Sequence, residues 1–168
     1  LYTSLLLKPP IAASAAAGIA LLAGIAVAEV VMTYCPVGVG LKWPNDVRVG
    51  GRKVCGILAE TQLKGAELTA VVVGIGLNVN IECEDFAPEY RQLATSLYAE
   101  TGKRHSREEV ALRLYASLEQ WYETFLRGGF APVRKRWLAL SEMEGRRIRI
   151  LFHEEVREGR VAGIDLDG

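Results

Sequence analysis

The sequence is poor in the residues from which metal and thiol chemistry is built. Its 168 residues include three cysteines and two histidines. Cys35, Cys55 and Cys83 are odd in number, scattered and without C-x-x-C spacing, which argues against a disulfide framework or a zinc site and fits a reducing, cytoplasmic setting. A nucleophilic cysteine wants a paired histidine, and His105 and His153 lie in unrelated segments, so Cys55 reads most simply as a small buried hydrophobe. An excess of either charge is lacking too. Twenty basic residues balance twenty acidic ones, which gives no strong electrostatic grip on nucleic acid or on an anionic membrane.

Two further features fall short of what they first suggest. Gly74-x-Gly76 has no third glycine and no following helix, and Asn78-Val79-Asn80 reads as a continuation of the strand, so this is not a dinucleotide fingerprint. Residues 11–28 are eighteen positions without a charge, long enough for a membrane span. The run is mostly alanine and glycine, however, and no basic region precedes it. It reads as a buried helix packed closely on a sheet, and no membrane partner is expected.

What is present is an ordinary apolar half and enough chain for one domain with a small appendage. Leu1–Lys8 reads as a strand, and a helix is expected from about Ala12 to Thr33. Val39–Trp43, Val47–Val49, Lys53–Glu60 and Leu68–Asn80 read as strands. Gly50-Gly51 between the second and third of these is a hairpin signal, because both glycines tolerate positive φ. Such short connections imply an antiparallel meander, since parallel strands would need crossover helices. Ser106 with Glu109 is a capping box opening a helix whose stripe is Val110, Leu114, Leu118, Trp121 and Phe125, ended by Gly128-Gly129. A shorter helix, about Ala131–Leu140, follows. Ile148–Phe152 and Val156–Ile164 are expected to pair, and Gly163–Gly168 reads as a turn. Both ends read as cut, as if this were the middle of a longer protein. The expected fold class is α+β: a mixed, largely antiparallel sheet covered by helices, with the start of a small C-terminal β-barrel module. The division expected is 1–142 and 143–168.

The chemistry is expected between Lys42 and Asn80. Lys42 sits at a strand end beside Trp43, Asn45 and Asp46, and Lys53 opens the strand beyond the hairpin. Two cations suit a phosphate or carboxylate ligand. An aspartate nearby can hold a metal ion or orient an incoming amine. Gly56, Gly74 and Gly76 interrupt apolar strands, where glycine often marks a bulge or the close approach of a ligand. Each feature also has a plain reading: solvated edge lysines, turn chemistry at Asn45-Asp46, glycines that admit the packed helix, and a Trp43 that is core or stacking surface.

The combination is more specific than its parts. Lys42-Trp-Pro-Asn-Asp46, Arg52-Lys-Val-Cys-Gly-Ile-Leu-Ala-Glu60 and Gly74-Ile-Gly-Leu-Asn-Val-Asn80 together resemble the biotin–protein ligase family, in its order and spacing. The resemblance extends to Leu1-Tyr-Thr-Ser-Leu5, to Ala94-Thr-Ser-Leu97, to the helix of Phe130–Trp137 and to Gly163-Ile-Asp165. It implies a class II synthetase-like catalytic domain that uses ATP and Mg2+ to convert biotin into biotinyl-5′-AMP. The biotin then passes to one lysine of a biotin carboxyl carrier protein or domain. By the same resemblance Lys53 would contact the biotin carboxylate and the phosphoryl group, and Lys42 would hold the nucleotide phosphate. Asp46 would position or deprotonate the acceptor lysine, with Asn45 at a phosphate or metal. Tyr2, Gly74 and Gly76 would line the biotin pocket, Gly56 would let the backbone approach the ligand, and Asn78 would touch the adenylate. Ser4, Trp43 and Ile57 complete the expected binding residues; no protein metal ligand is assigned.

The family's glycine- and arginine-rich substrate loop lies upstream of the Leu-Tyr-x-Ser strand and is not in this sequence. Weak biotin binding and poor ligation by these residues alone are therefore expected. A lipoate–protein ligase, a biotin-responsive regulator and a non-catalytic module are the competing readings. Ligases of this family often pair through sheet edges, so a homodimer of that kind stands as an expectation.

Overall fold

The computed structural model describes residues 1–152 and 155–165. It has three layers: a sheet, one central helix, and two helices on that helix's far side. The strands are β1 (Tyr2–Leu7), β2 (Val39–Lys42), β3 (Asp46–Val49), β4 (Arg52–Lys64) and β5 (Glu67–Leu77). They form one five-stranded sheet in the order β1-β5-β4-β3-β2. Every pairing within it is antiparallel. Parallel pairing occurs among the described residues only as isolated bridges, Leu41 with Ser141 and Lys53 with Ala94. The Gly50-Gly51 turn has φ of +56° and +78°, the left-handed backbone that a two-residue hairpin requires.

The central layer is α1 (Ala17–Tyr34), preceded by a short 3-10 turn at Ala13–Ala15. It is long and apolar enough to cross a membrane by length and composition alone, but most of it is buried inside the fold. Its composition follows from having neighbours on both sides. A Cβ on Gly24 would sit 3.6 Å from Leu41 and 3.8 Å from Ile57 on the sheet, whereas one on Gly18 would sit 3.0 Å from Phe125 and 3.1 Å from Phe130 on the opposite side. A helix buried all round shows no apolar stripe, because no face is left for water.

The outer layer is α3 (Arg107–Gly128) and α4 (Phe130–Leu140); a single-turn helix, α2 (Leu97–Thr101), stands at the sheet margin. Ser106 caps α3, accepting from the Glu109 amide, and Gly129 ends it with φ +64°. Val110, Leu114, Leu118 and Phe125 are buried as the stripe requires, and Trp121 is half-buried. Its indole N–H donates to Glu29 on α1 at 2.8 Å, and Arg136 on α4 donates to the same carboxylate at 2.9 Å.

Four boundaries differ from the sequence reading by three residues or more. The first is that of α1, which begins at Ala17 rather than about Ala12 because the chain before it forms the 3-10 turn. β4 runs on to Lys64 rather than Glu60. β5 stops at Leu77, so Asn78–Asn80 do not continue the strand. There the Asn78 amide donates to Val54, its side chain donates to Thr95, and its carbonyl accepts from Leu97. Asn80 exchanges two hydrogen bonds with the backbone of His105. Side-chain amides that bond the passing backbone in this way pull a chain out of a ladder. Near the C-terminal end β6 (Arg147–Phe152) and β7 (Glu155–Arg160) pair as expected, but β7 ends short of Ile164, and the two form a separate two-stranded sheet rather than a demonstrated barrel. The expected turn at Gly163–Gly168 falls partly on residues 166–168, outside the described residues, as does His153.

Candidate active site

One row of residues crosses the whole sheet. Lys42 pairs with Asp46, Asp46 with Gly56, Gly56 with Gly76, and Gly76 with Tyr2. Residues opposite one another in a sheet share a face, and here it is the face away from α1. The adjacent row, Ser4, Gly74 and Leu58, lies on the same face. Their neighbours Val73, Ile75, Leu77 and Ile57 are buried against the helix layer. The three strand glycines are therefore the floor of the outer face; α1 packs on the other one.

Lys53 joins this face through a bulge. The β3–β4 register runs Asp46–Gly56 and Val47–Cys55, then skips Val54 to pair Arg48 with Lys53. A bulge re-aims the side chain beside it. The Lys53 chain passes over Gly56, where an added Cβ would stand 3.0 Å from both Cε and Nζ. The ammonium ends 2.5 Å from an Asp46 carboxylate oxygen. Gly56 thus gives clearance to Lys53 itself, in addition to any ligand. The pair is partly open to water, with side-chain exposures of 43% and 20%. A pair so exposed is worth about 0–1 kcal/mol, so swinging Lys53 from Asp46 to an incoming anion costs little.

The floor and its walls enclose an open depression of about 510 Å³. Of the twelve expected site residues, eight line it: Tyr2, Ser4, Asn45, Lys53, Gly56, Ile57, Gly74 and Gly76. Thr3, Leu58 and Ile75 complete it. The Tyr2 ring lies over Gly76, 3.3 Å from where a Cβ would be, while Gly74 has nothing nearer than the Leu58 carbonyl oxygen at 3.8 Å. Asp46 adjoins the depression through Lys53, and Lys42 is exposed one strand further on.

Trp43 and Asn78 are not brought in. Trp43, before the cis peptide to Pro44, has its amide on the Met143 sulfur at 3.2 Å and lines a separate cleft with Trp137, Met143 and Ile148. The Asn78 side-chain amide is engaged by the Thr95 carbonyl at 3.0 Å. A mostly apolar cavity of about 230 Å³ beneath β1, lined by Leu5, Leu7, Ile19 and Leu22 with Glu119 and Tyr122 at its wall, shares no residue with the depression.

The residues that hold Lys53 were not singled out from the sequence. The Lys53 amide donates to Leu93 and its carbonyl accepts from Thr95, each at 2.8 Å. Thr95 is fully buried. The only signal available was that Ala94–Leu97 recurs as a block in the resemblance.

Burial pushes the Cys55 thiol up from 9.0 to about 12, with the nearby Lys53 charge opposing. It is an inert thiol under the floor. Among the described residues no cluster of three or more His, Cys, Asp or Glu side chains could hold a metal ion. Asp46 and Asn45 supply one carboxylate and one amide, which fits a magnesium ion shared with substrate phosphates and not a cage built by protein alone.

Residues 1–139 match the biotin/lipoate A/B protein ligase family. The whole chain is 31% identical to the bifunctional ligase/repressor BirA of Bacillus spizizenii and spans about half of it, 52%. It is 33% identical to the biotin–[acetyl-CoA-carboxylase] ligase of Paracoccus denitrificans, with 98% of this chain and 70% of that protein covered. The fold is similar to the biotin protein ligase from Aquifex aeolicus in complex with biotin and ATP. That match has a TM-score of 0.83 and 29% identity, over 98% of this chain and 67% of that one.

Proposed function

The chain belongs to the biotin/lipoate A/B protein ligase family, and from that premise we propose that it carries the activating site of an ATP-dependent biotin–protein ligase. The observation that carries this reading is the Lys53 ammonium, held beside Asp46 above a glycine floor at the end of an open depression. Relatives named for biotin ligation, among them the Paracoccus protein, support biotin as the acid.

In the first step a biotin carboxylate oxygen attacks the α-phosphate of ATP and pyrophosphate leaves. Two anions must meet, so the site has to neutralise charge and hold them in line. Lys53 does this, exchanging the Asp46 carboxylate for the reacting oxygens. Lys42, on β2 and two strands from Lys53, takes the nucleotide phosphate. Gly74 and Gly76 leave space for the ring system, with Tyr2 and Ser4 beside it and Ile57 contributing its backbone, since its side chain is buried toward α1. Asn45 faces the phosphates, and magnesium arrives with the nucleotide as part of the substrate. Trp43 and Asn78 would meet the nucleotide at the margin, Asn78 through the side-chain oxygen left when its amide binds Thr95. In the second step a lysine amine of a biotin carboxyl carrier domain attacks the adenylate carbonyl and AMP leaves. Asp46, no longer neutralised by Lys53, orients that amine and takes its proton.

The same reading makes residues 1–142 the catalytic unit and 143–168 a C-terminal module, and makes the location cytoplasmic. A homodimer would use the β1 edge, since on β2 the Leu41 carbonyl already accepts from Glu142. Thermal melting with biotin, lipoate and ATP tests the proposal alongside acid-dependent ATP–pyrophosphate exchange. In the full protein a shift and exchange with biotin are expected, and the 168 residues alone should respond weakly. A response to lipoate alone would move the assignment to the family's other branch.

A further inference from the structure

A carboxylate outside the depression touches both the strand that bears Lys53 and the segment beside it. At the bulge, regular sheet pairing is interrupted: Val54 has no partner on β3. On the other edge of β4 the backbone there is held by the Asn78 amide, which donates to Val54, and by the parallel segment Leu93–Thr95, through the hydrogen bonds Lys53 N–H to Leu93 and Thr95 N–H to Lys53. That segment is in turn fixed by Glu100 on α2. One Glu100 oxygen accepts from the Thr95 hydroxyl at 2.5 Å and from the Arg52 guanidinium at 2.8 Å. Arg52 is the residue immediately before Lys53. A single carboxylate oxygen therefore ties the strand that bears the lysine to the segment that clamps it.

The protein surroundings make this tie strong. Thr95 is fully buried and the Glu100 side chain is 17% exposed. A charge-assisted bond to a buried hydroxyl is stronger than a neutral one, and a buried hydroxyl without its partner loses its desolvation compensation. Asn78 adds a second support, donating to the Thr95 carbonyl. The Glu100, Thr95 and Arg52 side chains are outside the hydrophobic core cluster, so cutting the tie is expected to leave the three layers in place.

We propose that Glu100 is a positioning residue for Lys53: it fixes the bulged backbone from which the lysine reaches over Gly56. The inference rests on the reading of Lys53 as the activating cation, and it adds a residue that acts only through Lys53. Reactive groups displaced by about 1 Å lose on the order of a hundredfold in rate, and a loosened clamp is a partial displacement.

The test compares Glu100→Ala and Glu100→Gln in the full protein, by amide hydrogen exchange and by biotin-dependent ATP–pyrophosphate exchange. In Glu100→Ala the Lys53 and Thr95 amides are expected to exchange faster while the Ile75 amide, deep in the sheet, does not. The kcat should fall about tenfold, with KM for ATP unchanged because Lys42 holds the nucleotide. Glu100→Gln keeps an acceptor oxygen and should restore most of the rate. If Glu100→Ala fails to fold, Thr95→Val removes one of the two donors and is read in the same way. Unaltered Lys53 and Thr95 exchange, a loss spread evenly over the sheet, equal impairment by Ala and Gln, or a loosened clamp with unchanged kcat would each overturn the proposal. Wild-type protein without pyrophosphate exchange would count against the ligase reading instead, and the amide measurement would still decide whether Glu100 holds Lys53.

Discussion

Lys53 reaches Asp46 by crossing Gly56: its Cε and Nζ both stand 3.0 Å from the position of the missing Cβ, and its ammonium lies 2.5 Å from the carboxylate. Gly56→Ala would put a methyl group under the lysine and force its tip to move. The contact is with the flexible end of a side chain, and alanine is the better strand residue by about 0.5–1 kcal/mol. Stability should therefore change by less than about 1 kcal/mol. Adenylation, measured as pyrophosphate exchange, should fall about tenfold.

Gly74 offers a cleaner probe of the ligand. A Cβ there would meet only the Leu58 carbonyl oxygen at 3.8 Å, an ordinary contact. Gly74→Ala is thus silent toward the protein, and any loss reports what occupies the space above the floor. Biotin affinity by calorimetry should weaken about tenfold or more, at a melting temperature unchanged or slightly raised by the strand preference of alanine. Unchanged affinity would mean that the ring system does not lie over Gly74.

The two interior glycines of α1 should respond in opposite directions. At Gly24 a methyl group finds 3.6 Å to Leu41 and 3.8 Å to Ile57, so Gly24→Ala gains the helix preference of about 1 kcal/mol. At Gly18 it meets the rings of Phe125 and Phe130 at 3.0 and 3.1 Å, and overpacking costs of roughly 1–3 kcal/mol exceed that gain. Denaturant titration should show the first variant stabilised and the second destabilised. If both variants gained, the close layering of α1 against α3 and α4 would be wrong.

Much of this layout was legible in the sequence, because it was written in local chemistry. Gly50-Gly51 announces a hairpin, Ser106 with Glu109 a helix start, and the apolar run interrupted by Gly74 and Gly76 a strand with room for a ligand. The bulge at Val54 was not legible. Strict alternation puts Lys53 and Gly56, three residues apart, on opposite faces. The extra residue brings them together, and nothing in Arg52-Lys-Val-Cys-Gly56 demands it. The end of β5 was misread for a related reason: Asn78 and Asn80 bond Thr95 and His105, partners that only the fold brings near. Glu100 was invisible for the same cause, since its worth lies in Arg52 and Thr95 meeting at one oxygen.

Cys55, directly under the floor, sets a pH dependence. Burial raises its thiol to about 12, against 9.0 for an ordinary one. The folded state therefore keeps its proton where the unfolded chain has lost it, and the contribution to stability is present below pH 9 and lost as pH rises towards 12. Cys55→Ala should fall less steeply over that window than the parent. At pH 8, about the level where free thiols begin to ionise, Cys55 should resist alkylation until the protein unfolds, while the half-buried Cys83 reacts.

The central claim is that Lys53 is the cation of an acid-activating site and not a solvated residue at a strand start. The direct measurement is biotin-dependent ATP–pyrophosphate exchange by Lys53→Ala in the full protein, with melting recorded alongside. Lys53 carries little core packing, so the variant should melt within a few degrees of the parent, its exposed ion pair with Asp46 being worth about 0–1 kcal/mol. Its exchange activity should disappear. A folded Lys53→Ala protein that exchanges pyrophosphate at the parental rate would contradict the account.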